Sequence, residues 1–270
     1  MEQKLIALDL DGTTLNANSL ISSKTISVLQ KASKAGHIVS IVTGRPYRIS
    51  KNYYDELQIK TPMINFNGAL GHIPYRNWGK EYQDTFSREI AFDLLKNKEN
   101  LGIKLIAAEA KTMMLADSVN PVTDGFFPTS LSTQQLLNED NLATDPASIT
   151  LLIEENAKDK IVSELKKNYG DYIEVGVWGG ANPILELAPK GITKEKGVRL
   201  LASNYHIDRK NIVAFGDEHN DYEMIDYAGW GVVMKNGTDA LKQISNDVTE
   251  LDNTQDGLAN YLEKYLGLAE

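Results

Sequence analysis

"IALDLDGTTL", residues 6–15, joins an apolar run to two aspartates two positions apart and then to Gly-Thr-Thr. A short apolar run of this kind is a buried strand, whereas aspartate is a poor strand residue and a costly charge to bury. Asp9 and Asp11 therefore close a core strand with two like charges, and such a pair needs a partner of opposite sign.

The surrounding sequence supplies the rest of a sheet. In "SSKTISVLQKASKAG" Ser22 or Ser23 caps a helix, and Gly36 stands where a C′ glycine belongs. "HIVSIVTG" is a second buried strand ending at Thr43-Gly44, "RPYRISKNYYDELQI" a helix after Pro46, and "PMINFNGA" a third strand ending in Asn67-Gly68. The alternation returns late in the chain. "TKEKGVRLLASNYHI", "NDYEMIDYAG", "TDALKQIS" and "QDGLANYLEKYLGL" read as helices, and "NIVAFGD" and "GWGVVMK" as strands. Strands alternating with helices of this length predict a parallel α/β sheet with right-handed crossovers.

Between these halves the pattern changes. "SREIAFDLLKNKEN" and "KDKIVSELKKNY" are helical, but IKLIAA, TMMLAD, SITLLIEE, YIEVGVW and ILELA read as antiparallel or mixed strands, with turns at Gly179-Gly180 and Asn182-Pro183. At 270 residues the chain has room for two domains. The reading places a discontinuous core at 1–81 and 187–270 and an inserted α+β domain at 82–186.

Composition narrows the function. A net charge of −9 argues against a nucleic-acid binder, although a bound cation can still recruit a small anionic substrate. The absence of cysteine removes disulfides, thiolate metal sites and a cysteine nucleophile. "MEQKLIALDL" has too short an apolar run for a signal peptide, and no stretch approaches the roughly 18–20 apolar residues of a membrane span. The expectation is a soluble cytoplasmic protein, monomeric or weakly dimeric, with no membrane partner.

In an open parallel sheet, ligands bind at the carboxyl ends of the strands. The first strand brings Asp9 and Asp11 there, the second Thr43, and "VAFGDEHND" brings Asp217 with Asn220 and Asp221 a turn later; Lys194 follows Thr193. Carboxylates this crowded call for a hard divalent cation, and an all-oxygen donor set suits Mg²⁺ better than Zn²⁺. One carboxylate can then attack phosphorus to give an aspartyl-phosphate, with Thr43 and Lys194 suited to the phosphoryl oxygens and the Gly12-Thr13 turn offering backbone N–H groups.

Four stretches carry a resemblance. "DLDGTTL" (9–15), "VTG" ending at Thr43-Gly44, the lysine of "GITKEKG", and "GDEHND" (216–221) resemble the four motifs of the haloacid dehalogenase superfamily. The large insert, "INFNGA" and "EMIDYAGWGVVMKN" are similar to its Cof-like branch of cap-bearing sugar-phosphate phosphatases. The resemblance implies a Rossmann-like parallel-sheet core with an inserted cap at 82–186. It also implies a Mg²⁺-dependent phosphomonoesterase acting on small phosphates, with sugar phosphates foremost and pyridoxal phosphate or flavin mononucleotide as alternatives. Asp9 would be the nucleophile and a metal ligand. Asp11 would be the general acid/base, its main-chain carbonyl also on the metal. Asp217 would be a further ligand and Asp221 a ligand or its support. Leu10 by its N–H, Thr43, Gly44, Lys194 and Asn220 would contact phosphate. The sequence departs from the branch at Glu195 and Lys235, where glycine is usual.

Several residues carry two readings. Lys190 and Lys196 compete with Lys194 for the phosphate. Arg45 is either a substrate or cap contact or a solvent-facing helix residue. Asn67 either orients Asp11 or substrate or simply makes an Asn-Gly turn. Trp178 lines a substrate face or packs in a hairpin, and His219 reads as a spacer facing solvent. The glycine run at 176–180 reads as a turn. A phosphomutase of the same superfamily and a phospho-accepting switch are the competing functions. Asp11, a hydrolytic base two residues after the nucleophile, and the long insert both oppose the switch.

Overall fold

The computed structural model describes residues 2–120, 126–178 and 184–268. Strand β1 (Leu5–Leu8) leads through a loop at 10–14 to helix α1 (Ser23–Lys34), then β2 (Ile38–Ile41) and α2 (Tyr47–Leu57). Next come β3 (Met63–Asn65), β4 (Leu70–His72) and β5 (Tyr82–Gln83). The insert holds α3 (Glu89–Leu101), β6 (Ile103–Glu109), β7 (Met114–Ala116), β8 (Ser148–Ile153), α4 (Lys158–Tyr169), β9 (Ile173–Val177) and β10 (Ile184–Pro189). The chain ends with α5 (Lys194–Tyr205), β11 (Ile212–Gly216), α6 (Tyr222–Tyr227), β12 (Trp230–Val233), α7 (Asp239–Ile244), β13 (Asp247–Val248) and α8 (Gly257–Leu266).

These elements form two compact units. One comprises Met1–Arg45, Ser50–Tyr82 and Thr193–Glu270; the other comprises Pro46–Ile49 and Gln83–Ile192. The break expected after residue 186 falls after Ile192, because β10 runs to Pro189 and is paired to β8 and β9 along its length.

The first unit is built on a parallel sheet of order β13-β12-β11-β1-β2. Every residue of β1 is fully buried, as expected of a central strand covered on both faces. From β1 the chain steps one way to β2 and later the other way to β11. The carboxyl ends of β1 and β11 therefore flank the point where strand order reverses, the place such sheets reserve for ligands. Helix α1 begins as its sequence predicts, with Ser22 Oγ accepting from Thr25 N at 3.0 Å. The third strand is shorter than expected. It stops at Asn65 because Phe66, Asn67 and Gly68 all take positive φ (50°, 53° and 108°) and turn the chain into β4. β3 meets the parallel sheet through the Val42–Ile64 bridge, pairs antiparallel with β4 and shares a three-stranded sheet with β4 and β5.

The second unit is built on an antiparallel sheet of order β7-β6-β8-β10-β9. Alternation in the strands decides its two faces. Ile106, Ala108, Ile149, Leu151, Leu185 and Leu187 pack with α3 and α4 through Ile90, Leu94, Ile161 and Leu165. Leu105, Ala107 and Ile184 face the other way and meet Phe126 and Phe127. The turns expected at Gly179-Gly180 and Asn182-Pro183 lie outside the described residues; Gly176, in the same glycine run, belongs to β9. Among the described residues no helix is long and apolar enough to cross a membrane.

Candidate active site

The site begins where β1 ends. Asp9 N donates to Phe215 O (3.1 Å), extending the β1–β11 ladder by one bond and leaving the Asp9 side chain at the sheet edge, 5% exposed. The loop that follows closes with Leu15 N on Leu10 O (2.8 Å) and Thr14 Oγ1 on Asp9 O (2.5 Å). Gly12 stands in it at φ +69°, and a Cβ there would lie 2.1 Å from Asp217 Oδ2, so both the backbone and the space demand glycine. Thr13 Oγ1 donates to Asp217 Oδ1 (2.7 Å) and Asn236 Nδ2 to Gly12 O (2.8 Å), tying the loop to the ends of β11 and β12.

Lys194, at the start of α5, is 1% exposed and reaches the middle of the acidic cluster. Its Nζ lies 2.6 Å from Asp9 Oδ1 and 2.6 Å from Asp221 Oδ1. Burial alone would push this ammonium down, but the carboxylates of Asp221 and Asp9 outweigh it and raise its pKa, so it stays charged. Burial pushes Asp9 well above the usual carboxylate range, against the pull of Lys194 and with help from Asp221 and Asp217. Burial likewise raises Asp217 to about 7. One ammonium thus bridges two of three crowded carboxyl groups, and the cluster remains short of positive charge.

That shortfall is the observation against which a metal can be judged. Asp9, Asp217 and Asp221 each offer an oxygen, all within 4.8 Å of one another. Asp221 is already occupied: Oδ1 accepts from Lys194, and Oδ2 accepts from the backbone N–H groups of Asp217 (3.0 Å) and Glu218 (3.2 Å). Its work is to hold the lysine and the loop. Asp9 and Asp217 would be the better ligands, and an all-oxygen set short of positive charge could hold Mg²⁺.

Asp11 has a different partner. Arg45 grips its carboxylate with two parallel bonds, Nε to Oδ2 at 2.7 Å and Nη2 to Oδ1 at 2.5 Å, and the Asp11 side chain is 59% exposed. Arg45 is itself held by Tyr53, whose hydroxyl lies 3.3 Å from Nη1 and donates to Ser19 O (2.9 Å). Two cations therefore answer the two aspartates: Lys194 meets Asp9 and Arg45 meets Asp11. Arg45 is a contact of the Asp11 side chain, and neither alternative from the sequence named it.

Thr43 is buried at the end of β2, and its Oγ1 accepts from Arg45 N (3.1 Å). Asn67 contacts Asn220, accepting from its Nδ2 at 3.0 Å, and Asn67 N donates to Thr43 O (3.2 Å). Gly68, at φ +108°, would put a Cβ 2.1 Å from Thr193 O, the residue before Lys194. The turn after β3 thus joins the loops that carry Thr43, Lys194 and Asn220. The stretch "INFNGA" carries no local signal of this joining role, which depends on contacts with residues distant in the chain. Leu10 and Gly44 sit in the loops beside Asp9 and Thr43.

The competing readings separate. Lys190 pairs with Glu174 (2.9 Å) in the second unit, and Lys196 lies over the Tyr82 ring (5.1 Å). His219 is exposed beside Glu218. Trp178 Nε1 donates to Glu186 (3.1 Å) with its ring edge-on to Phe126, an arrangement of packing. Glu195 pairs with Arg199 one turn along α5 (2.5 Å), so this departure from the branch pattern falls on a helix-surface ion pair.

A parallel sheet with acidic groups, a buried lysine and a hydroxyl at its carboxyl edge, carrying a second α/β unit as an insert, defines an α/β enzyme of the phosphoryl-transfer type. The family model of haloacid dehalogenase-like hydrolases matches residues 6–262, and the chain belongs to that family. It is 36% identical to the 5-amino-6-(5-phospho-D-ribitylamino)uracil phosphatase YitU of Bacillus subtilis over 279 aligned residues, covering 99% of this chain and 100% of the relative. It is similar to a haloacid dehalogenase-like hydrolase from Bacteroides thetaiotaomicron, with a TM-score of 0.82 at 25% identity over 98% of this chain and 100% of the other. The fold is also that of the subclass IIB sugar phosphatase BT4131, with a TM-score of 0.77 at 22% identity, covering 99% and 100% of the two chains. The protein is accordingly an enzyme, a phosphatase of the haloacid dehalogenase-like family.

Proposed function

We propose that this phosphatase hydrolyses a small phosphomonoester in two steps through an aspartyl-phosphate on Asp9, with Mg²⁺ as cofactor. The observation that carries the reading is the division of labour at the end of β1: Asp9 is buried against Lys194, and Asp11 stands in solvent under Arg45. In the first step an Asp9 oxygen attacks phosphorus and the bond to the alcohol oxygen breaks. Asp11 supplies the proton that the departing oxygen takes. In the second, Asp11 takes a proton from water as that water attacks the aspartyl-phosphate, giving inorganic phosphate and free Asp9. Lys194, Thr43, Asn220 and the N–H groups of Leu10 and Gly44 would surround the phosphoryl oxygens. Asp9, Asp217 and the Asp11 carbonyl would hold Mg²⁺, with Asp221 in support, and the ion would offset the charge that the phosphoryl group brings.

For substrate we propose a primary phosphate on a polyhydroxylated carbon chain. The expected sugar phosphates have that character, and so does the ribityl phosphate in the name of the 36%-identical relative. The test is phosphate release from a panel containing 5-amino-6-(5-phospho-D-ribitylamino)uracil, hexose and pentose phosphates, pyridoxal phosphate and flavin mononucleotide, run with and without Mg²⁺ on wild type and Asp9→Asn. Release that needs both Mg²⁺ and Asp9, fastest on the ribityl or sugar esters, is the expected result. Release that persists in Asp9→Asn would overturn the covalent route.

A further inference from the structure

The interior of the short β3–β4 pair contains a polar chain that packing does not call for. Asn65 is fully buried at the end of a strand whose other residues, Met63 and Ile64, are apolar and equally buried. His72, on β4, is diagonal to it across the antiparallel pair and fully buried as well. A buried amide is costly unless every group finds a partner. Here the partners are specific. Asn65 Nδ2 donates to Arg45 O (2.9 Å) and to Ser50 Oγ (2.8 Å), and Asn65 Oδ1 lies 3.1 Å from His72 Nε2. A carbonyl only accepts, so the amide nitrogen must face Arg45 and the amide oxygen must face the imidazole. His72 consequently donates from Nε2.

Arg45 is the residue whose guanidinium holds Asp11, and its carbonyl is fastened at the corner between β2 and α2 by Asn65 together with Phe66 N (3.4 Å). An arginine side chain loses much rotamer freedom when it is held in one place, so a fork aimed at a half-exposed carboxylate depends on where its backbone is fixed. We propose that His72 and Asn65 are positioning residues for the proton-transfer group. Neither reaches substrate; both act through Arg45 to fix the Asp11 carboxylate where it meets the departing oxygen. This rests on the reading of Asp11 as general acid.

The test is kcat/KM on two aryl esters, p-nitrophenyl phosphate and phenyl phosphate. This constant covers the steps through departure of the phenol, and only the poorer leaving group depends strongly on the acid. His72→Leu and Asn65→Leu are expected to lose about ten-fold on phenyl phosphate and at most about three-fold on p-nitrophenyl phosphate. His72→Gln places an amide N–H near Nε2 and is expected to stay within about two-fold of wild type on both esters. Equal losses on the two esters, or a His72→Gln variant no better than His72→Leu, would reduce the pair to a structural role and overturn the proposal. Asp11→Asn separates the two readings. If it shows no discrimination between the esters, the general-acid reading fails and takes this proposal with it. If it discriminates and His72→Leu does not, this proposal alone fails.

Discussion

Asp9 and Asp11 stand two residues apart in different surroundings. Asp9 is buried on Lys194, and Asp11 is gripped in solvent by Arg45. Their substitutions should therefore differ in kind. Asp9→Asn is expected to lower kcat by about 10⁴-fold or more, the scale seen when a nucleophile is removed. Asp11→Asn should slow turnover and let the phosphorylated enzyme accumulate, visible as added phosphate mass on intact protein after mixing with substrate. Lys194 presents a different case. Its Nζ bridges Asp9 and Asp221 at full burial, so Lys194→Met would leave buried carboxylates without their cation. A loss of about 3–5 kcal/mol is expected from breaking such a buried pair, read as a lower midpoint in denaturant unfolding alongside lost activity.

At the scale of elements, stability and chemistry separate along the first strand-loop-helix unit. Ser22 caps α1 by accepting from Thr25 N at 3.0 Å and donating to Thr25 Oγ1 at 3.1 Å, and no bond links it to Asp9 or Asp11 among the described contacts. Ser22→Ala should cost about 1 kcal/mol of stability and leave kcat unchanged. Gly12 lies in the loop between Asp9 and α1, where a side chain would run into the Asp217 carboxylate. Gly12→Ala should therefore damage activity and Mg²⁺ binding out of proportion to any loss of stability. Comparing kcat with the unfolding midpoint in the two variants tests this contrast.

For the whole molecule, the crowding of carboxylates at the sheet edge has a thermodynamic consequence. A cation that binds the folded cluster and not the unfolded chain stabilises the fold by mass action. Added Mg²⁺ should raise the melting temperature of wild type, and a chelator should lower it again together with phosphate release. The Mg²⁺-dependent rise should vanish in Asp217→Ala, and calorimetry should find no ion binding in that variant. A melting temperature indifferent to Mg²⁺ would argue against the ion.

Much of this protein was legible in the sequence, for a physical reason. Apolar runs bounded by glycine and capping residues have few foldings open to them, so the helices, the longer strands and the alternation that makes the first sheet parallel are legible, whereas the short strands β4, β5 and β13, of two or three residues each, carry too little pattern to be read. The strand-end rule then collected Asp9, Asp11, Thr43, Asp217 and Asp221 at one edge, because a parallel sheet aligns its carboxyl ends whatever lies between the strands. What tertiary structure alone decided was partnership. Three nearby lysines look alike in sequence, and only the packing of α5 buries Lys194 among the carboxylates. Arg45, after Thr43-Gly44, reads as a substrate or cap contact or as a solvent-facing helix residue until the fold places it on Asp11. Asn65 falls inside "PMINFNGA", which reads as one strand, His72 lies beyond it, and the turn at Phe66–Gly68 reads as that strand's tail. Bonds between residues distant in the chain depend on register, burial and side-chain direction, none of which is written in local pattern.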